Sequence, residues 1–193
     1  MSKIVYQKTI ENFKFRTYNE KPRHDCYEVN QVHGIDIIQA TDQMVDADGI
    51  FVLKSNFNKP LAIKTADCLP IAAIGKYGVA LIHAGWKSLF LGILKSTNLK
   101  KLAPDFFIIG PHISFQNYEV GDDFKKNFMN SYSFKRVNGK THFSLRDEAS
   151  FQLKELFPKS KISCSNLCTF EETELNSYRR DKTEKRNWNL LMP

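Results

Sequence analysis

The stretch from Leu61 to His83 constrains the fold most, because it is a nearly continuous series of strand-like segments. Its apolar runs, Leu61–Thr65, Leu69–Ile74 and Val79–His83, each have the length of a strand. Gly75–Gly78, which lies between the last two runs, is typical of a hairpin turn. A chain with this segment must build a sheet around an antiparallel hairpin.

The register of this hairpin brings two reactive side chains together. A tight turn centred on residues 76 and 77 pairs Pro70 with His83. Cys68 and His83 then lie on one face as diagonal neighbours, with backbones roughly 7–8 Å apart. We therefore expect both side chains to reach one metal ion.

The rest of the chain predicts a mixed α/β (α+β) fold: a layered mixed β-sheet with flanking helices, in one domain covering residues 1–193. Alternating strand-like and helix-like segments favour this class over a bundle or a sandwich. The first 24 residues are expected to form one or two edge strands. Further strands are expected at 26–32, 35–40, 50–53, 106–109 and 162–170, helices at 86–97, 124–129 and 149–157, and a polar tail after residue 170.

Sequence composition bears on the cellular compartment of the protein. No apolar run of about 18 residues occurs, so no membrane span is expected. The N-terminus has a lysine and polar residues before any long apolar run, which does not resemble a secretory signal. Cys26, Cys68, Cys164 and Cys168 are scattered, which is typical of reduced thiols. These features predict a cytoplasmic protein.

The net charge of +7 raises the question of anionic partners. The charge is dispersed, and its longest cluster, Tyr178–Arg186, contains acidic residues as well. No zinc-finger spacing or helix-turn-helix pattern is present in the sequence. A solvated basic face is favoured, and no nucleic-acid partner is expected.

The chemistry-bearing residues are His33, Cys68 and His83, each of which follows an apolar strand-like segment. Two imidazoles and a thiolate are ligands that Zn²⁺ or copper prefers. Three protein ligands leave one coordination position free for water or substrate, which is typical of a catalytic zinc site.

Two other interpretations use the same residues. Cys68 could be a nucleophile, with His83 as its base and Asp67 or Asp48 as the orienting carboxylate. A blue-copper centre also takes two histidines and one cysteine. A multinuclear copper cluster would need several further imidazoles, and the chain has five histidines in total.

The chain resembles the YfiH-type family, often labelled multicopper polyphenol oxidoreductase (laccase). The similarity runs from about residue 29 to the C-terminus, with the motifs in the family's order. They are Gln31–Gly34, Ala47–Gly49, Thr65–Ile71, His83–Trp86, Ile109–Ile113 with Tyr118–Val120, and Cys168–Phe170 with Ser177–Asp181.

This resemblance implies a fold related to cysteine hydrolases and a zinc ion on His33, Cys68 and His83. It also implies purine nucleoside chemistry: phosphorolysis of adenosine, inosine, guanosine and methylthioadenosine, and deamination of adenosine. Other members are described as copper polyphenol oxidases, or as peptidoglycan editing factors that remove a misincorporated serine from a cell-wall precursor. The histidine count favours zinc and the phosphorolytic or hydrolytic activities over copper chemistry.

The chain departs from the family at two places. Lys87-Ser88 replaces the usual Arg-Gly after the tryptophan motif, and lysine lacks the bidentate fork of arginine. The family's N-terminal Ser-Arg-x-Gly-Gly region is missing or shortened, so a nucleotide-binding homologue without turnover is an alternative.

Several further side chains are candidates for catalytic or substrate-binding roles beside the metal. Asp67 and Asp48 are candidates for a general base, for substrate contact or for orienting a metal histidine. The candidate phosphate-binding cations are Lys87, Lys64, Arg179 and Arg180.

Overall fold

A mixed β-sheet at the centre of the molecule positions the chemistry-bearing residues, as seen in a computed structural model that describes residues 2–129 and 131–193. The strands in chain order are β1 (Ile4–Ile10), β2 (Phe13–Tyr18), β3 (Ile37–Gln39), β4 (Gly49–Leu53), β5 (Leu61–Thr65), β6 (Leu69–Gly75), β7 (Gly78–Ala84), β8 (Pro104–Ile109), β9 (Phe134–Val137), β10 (Lys140–Phe143), β11 (Lys161–Cys164) and β12 (Asn187–Met192). The α-helices are α1 (Trp86–Leu91), α2 (Thr97–Lys101), α3 (Leu145–Leu156) and α4 (Tyr178–Asp181). Short 3₁₀ helices cover Lys54–Asn56, Ile93–Lys95, Phe115–Asn117 and Asp122–Phe128.

The central sheet has the strand order β11-β8-β6-β7-β4-β3. The outer pairs β11–β8 and β3–β4 are parallel, and the inner pairs are antiparallel. A second sheet, β1-β2-β12-β5, is antiparallel throughout, and β9 and β10 form a separate hairpin. The mixed α+β class expected from the sequence is confirmed.

Both faces of the central sheet are buried, and alternate residues of one strand enter different cores. On β6, Ala72 and Ile74 pack toward the second sheet, while Ile71 and Ala73 pack toward the helices. This explains why β6 is an unbroken apolar run although its neighbours are antiparallel. The molecule is therefore layered as sheet, sheet and helices, and the second sheet is a layer that the sequence pattern did not specify.

Several predicted strands end early because side chains replace the strand ladder. Strands were expected at 26–32 and 35–40, but the only regular strand described in this region is β3. The backbone amides of residues 32–34 donate to the Asp48 carboxylate instead of to a neighbouring strand. The strand expected at 162–170 ends at Cys164, because Leu167 donates its amide to the Ser165 hydroxyl. At the N-terminus β2 is an interior strand, since β12 pairs with it.

The helices also differ from the predicted ranges. The helix expected over 86–97 ends where Gly92 adopts φ +91°, a left-handed C-cap that favours glycine. The helix expected at 149–157 begins earlier, at Leu145, because the Ser144 hydroxyl accepts the Asp147 amide at 3.1 Å as an N-cap. None of the helices among the described residues has the length and apolar character needed to cross a membrane.

The chemistry-bearing segments converge at one end of the central sheet. The strand pairing places the starts of β4 and β6 beside the ends of β7, β8 and β11. Asp48 and Cys68 immediately precede β4 and β6, and His83 lies near the end of β7. The strands thus form a rigid frame on which loops can present functional groups.

Candidate metal centre

The structure brings His33, Cys68 and His83 together, with their ligand atoms all within 4.8 Å of one another. The observed hairpin register pairs Pro70 with His83, as the turn predicted. His33 is exposed, Cys68 is half-buried and His83 is 3% exposed. The set therefore runs from the surface into the protein.

Two residues of this region have strained backbones. His33 has φ +56° and Asp67, next to Cys68, has φ +91°. Left-handed conformations are uncommon for residues other than glycine. They cluster at active sites and ligand-binding sites, where the surrounding structure holds the backbone in place. Both values lie in the segments that deliver the metal-ligand candidates.

Gln31 fixes the loop that carries His33. Its side-chain amide donates to the Lys64 carbonyl at 2.7 Å, and its carbonyl accepts the Lys64 amide at 2.7 Å. This two-point contact imitates a strand ladder and holds the loop against β5. It gives the glutamine of the Gln31–Gly34 motif a positioning role.

Asp48 lies behind the set and orients it. Its fully buried carboxylate accepts a hydrogen bond from His83 Nδ1 at 2.7 Å and from the backbone amides of Val32, His33 and Gly34 at 3.2, 3.0 and 2.6 Å. With Nδ1 engaged, His83 presents Nε2 as its free ligand atom. Asp48 thus couples the two histidines, and it supports the ligands without lining the cavity at the metal set.

The charged form of His83 and the charged forms of Cys68 and Asp48 stabilise one another. Burial raises the pKa of the Cys68 thiol, but the neighbouring His83 and His33 rings outweigh burial and lower it overall. Burial lowers the pKa of His83, but Cys68 and Asp48 outweigh it and raise it overall. For Asp48, hydrogen bonds from His83 and backbone amides outweigh burial, so its pKa lies below the ordinary value. The thiolate needed by a metal is favoured, and the metal would displace the proton of His83.

Gly85 leaves the space that the set requires. A Cβ at this position would lie 3.1 Å from Cys68 Sγ and 3.6 Å from His33 Cδ2. The glycine also precedes α1 directly, so the chain turns into the helix without crowding the thiol. This accounts for the glycine in the His83–Trp86 motif.

Hydrogen bonds from other parts of the chain fix the carboxylate of Asp67. Its carboxylate accepts the Thr169 hydroxyl at 2.6 Å and the Arg179 amide at 2.7 Å. Both oxygens are engaged, and the residue is 8% exposed. It ties the segment before Cys68 to the C-terminal part of the chain.

The donor set fits a zinc ion. Zinc binds imidazole nitrogen and thiolate sulfur at about 2.0–2.3 Å, so ligand atoms within 4.8 Å of each other can share one ion with small side-chain adjustments. Among the described residues this is the group with such spacing. Two further histidines are committed elsewhere, since His112 Nδ1 donates to the Gly110 carbonyl and His142 Nδ1 to the Phe115 carbonyl.

A cavity of about 490 Å³ opens on the metal set, within the size range of small-molecule sites. Its wall includes Lys64, a predicted cation, together with Arg186 and Tyr178. Sequence reasoning missed these last two residues. Both lie in the charged segment 178–186, which was interpreted as a solvated face, and its aromatic residue was the available signal.

The other predicted cations do not line this cavity. Lys87 is exposed on α1. The Arg179 guanidinium lies 5.1 Å from the Tyr118 ring centre and donates to the Glu119 carbonyl. The Arg180 guanidinium donates to several backbone carbonyls and to Asp181, so it stabilises its own loop.

We expect Asp48→Asn to weaken metal binding about 10–100-fold, the usual loss when a partner of a metal histidine is changed. The amide keeps one acceptor oxygen, but its NH₂ group faces backbone amides that also donate. Metal titration into chelator-treated protein measures the effect. Asp46→Asn, an exposed neighbour, is the matched control. Equal affinities in the two variants would contradict the orienting role of Asp48.

Comparison with known proteins assigns this chain to a family. The family model described as multi-copper polyphenol oxidoreductase laccase matches residues 7–192. A purine nucleoside phosphorylase of Aquifex aeolicus is 36% identical over 178 residues, covering 90% of this chain and 84% of the relative. The purine nucleoside phosphorylase YfiH of Shigella flexneri is 29% identical over 175 residues, covering 82% of this chain and 70% of the relative.

A solved structure agrees with these sequence matches. A crystal structure of a Neisseria meningitidis protein superposes with a TM-score of 0.77 at 27% identity, covering 86% of this chain and 74% of the other. This chain is thus similar to a YfiH protein in sequence, and because the family model spans nearly the whole sequence, it belongs to the multi-copper polyphenol oxidoreductase laccase family.

Proposed function

We propose that this chain is a metal-dependent purine nucleoside phosphorylase that holds a zinc ion on His33, Cys68 and His83. The observation that carries the proposal is the convergence of these ligand atoms within 4.8 Å at the wall of a cavity that also contains Lys64 and Arg186. Relatives named purine nucleoside phosphorylase support an enzyme of this kind.

The cavity offers separate groups for the two substrates. Lys64 and Arg186 are half-buried cations that would hold inorganic phosphate. The Tyr178 ring is 53% exposed beside them and would stack on the purine base. Aromatic stacking tolerates different bases, which suits a panel of adenosine, inosine, guanosine and methylthioadenosine.

The chain's own residues position the reaction. When bound, a zinc ion would supply Lewis acidity toward an oxygen atom in the cavity. Asp48 keeps His83 in one orientation, and Gln31 keeps the His33 loop against β5. Asp67, whose carboxylate is already engaged by Thr169 and Arg179, acts as a positioning residue and not as a free base.

The test measures metal content and products on the same preparation. Protein purified without added metal is analysed for zinc and copper, then incubated with the four nucleosides with and without phosphate. We expect zinc as the bound metal and phosphate-dependent release of free base together with the sugar 1-phosphate, which is ribose 1-phosphate for three nucleosides and 5-methylthioribose 1-phosphate for methylthioadenosine. Ammonia release from adenosine without phosphate would mark the accompanying deaminase activity. Zinc-loaded protein that releases neither base nor ammonia would sink the proposal.

Replacement of Tyr178 tests the base-stacking role. Loss of a base–aromatic stack costs about 1–3 kcal/mol, so Tyr178→Ala should raise KM for nucleosides roughly 5–150-fold. Tyr178→Phe keeps the ring and should keep KM near the parent value. Steady-state kinetics on both variants decide the point, since an equal rise in KM would assign the tyrosine a role through its hydroxyl instead.

A further inference from the structure

A second, smaller cavity lies at the same end of the central sheet. It has a volume of about 190 Å³, below the roughly 300 Å³ at which pockets for drug-sized ligands begin. Among the described residues none lines both this cavity and the one at the metal set. The segment between them is tied through Asp67, whose carbonyl accepts the Ile113 amide and whose carboxylate accepts the Thr169 hydroxyl.

The wall of the second cavity includes a buried histidine with a free acceptor. His112 is 5% exposed, and its Nδ1 donates to the Gly110 carbonyl at 2.8 Å. Burial lowers the pKa of His112 to about 4, so the ring is neutral near pH 7. Its proton is then on Nδ1, and Nε2 carries a lone pair that no hydrogen bond among the described residues reaches. This nitrogen is available to accept a hydrogen bond from a donor in the cavity.

Three other side chains of the wall, those of Ser144, Ser165 and Arg146, offer hydrogen-bond donors. The hydroxyls of Ser144 and Ser165, both nearly buried, each accept a backbone amide and keep their own protons for another acceptor. Arg146 lies in the first turn of α3, and its nearest anionic partner is Asp147 at 3.6 Å. The twelve-residue helix α3 also points its N-terminal end, with its amides and partial positive charge, at this region.

We propose that this second cavity binds a small oxyanion that carries a proton, such as hydrogen phosphate. The oxygens would accept from Arg146, Ser144 and Ser165, and the P–OH group would donate to His112 Nε2. The space far exceeds the ~10–15 Å³ needed for one water molecule. Glu171, the acidic residue of the wall, accepts from Asn117 at 2.6 Å and is exposed, so it lies at the rim.

The free acceptor atom Nε2 of His112 should make the second cavity select phosphate over sulfate. Sulfate has the same shape and charge as hydrogen phosphate, but it carries no proton near pH 7. It would leave Nε2 facing an oxygen lone pair without a shared hydrogen. We therefore expect phosphate to bind at least about tenfold more tightly than sulfate, since a hydrogen bond with a charged partner is worth that much.

Calorimetric titration of the full chain with sodium phosphate and with sodium sulfate tests the proposal. Arg146→Gln should weaken phosphate binding at least about tenfold. Lys76→Gln removes the same charge from the hairpin turn at the opposite end of the sheet, and it should change the affinity by no more than about twofold. Glu171→Gln should strengthen binding, because it removes a negative charge from the rim.

A separate variant distinguishes this site from the cavity at the metal set. Arg186→Gln changes only the latter and should leave the Arg146-dependent binding intact. Phosphate binding that is lost in Arg186→Gln but kept in Arg146→Gln would overturn the second site, as would sulfate binding with equal affinity. The inference does not rest on the proposed function, since phosphate binding that depends on Arg146 can persist in a protein without phosphorolysis.

Discussion

Cys68→Ala is expected to leave the purified protein without stoichiometric metal and to abolish nucleoside turnover. Cys68 supplies the thiolate of the set, and the other ligands are imidazoles. Without Cys68 only two imidazoles are left, one fewer than the three protein ligands of a catalytic zinc site. The loss of activity should well exceed the roughly 10–100-fold expected when an outer partner of a ligand is changed.

Cys26→Ala is the matched control for this variant. Cys26 is also a free, partly buried cysteine, and its thiol donates to the His24 carbonyl away from the metal set. Metal analysis, turnover and circular dichroism on both variants separate loss of the site from loss of the fold. Full zinc content in folded Cys68→Ala protein would show that Cys68 is not a ligand.

The hairpin could be predicted because its signals are local. A four-residue turn between two apolar runs fixes the register, and that register places Pro70 opposite His83. His33 lies far from both residues in sequence, and the family resemblance indicated its place beside Cys68. Its geometry depends on contacts that no periodicity reveals, namely Gln31 with Lys64 and Asp48 with the amides of the loop.

The second sheet could not be predicted from periodicity. Strand β12, near the C-terminus, pairs with β2 near the N-terminus and with β5 in the middle of the chain. Nothing local in the sequence of these strands specifies which strand each one pairs with. The same long-range closure carries Tyr178 and Arg186 to the cavity at the metal set, which is why that part of the site escaped sequence reasoning.

We expect Phe15→Ala to destabilise the protein by about 3–5 kcal/mol, the usual cost of removing a buried phenylalanine side chain. Phe15 on β2 is fully buried between the two sheets. Its ring reaches the end of β8, since a Cβ on Gly110 would lie 2.6 Å from its Cζ. The loss is a large share of the roughly 5–15 kcal/mol by which domains are stable. Urea denaturation with linear extrapolation measures the free energy of unfolding.

Phe151→Ala makes the same change on the exposed side of α3, where Phe151 is 55% exposed, and should alter stability by about 0.5 kcal/mol or less.

A double-mutant cycle tests the contact between Phe15 and Gly110 itself. Gly110→Ala alone should cost about 1–3 kcal/mol, because the new methyl group would lie 2.6 Å from Phe15 Cζ and 2.9 Å from Pro70 Cγ. In the Phe15→Ala background the same methyl enters the vacated space, so its cost should fall. Additive losses would mean that Pro70 alone sets the cost of the new methyl group, and the contact between Phe15 and the end of β8 would be contradicted.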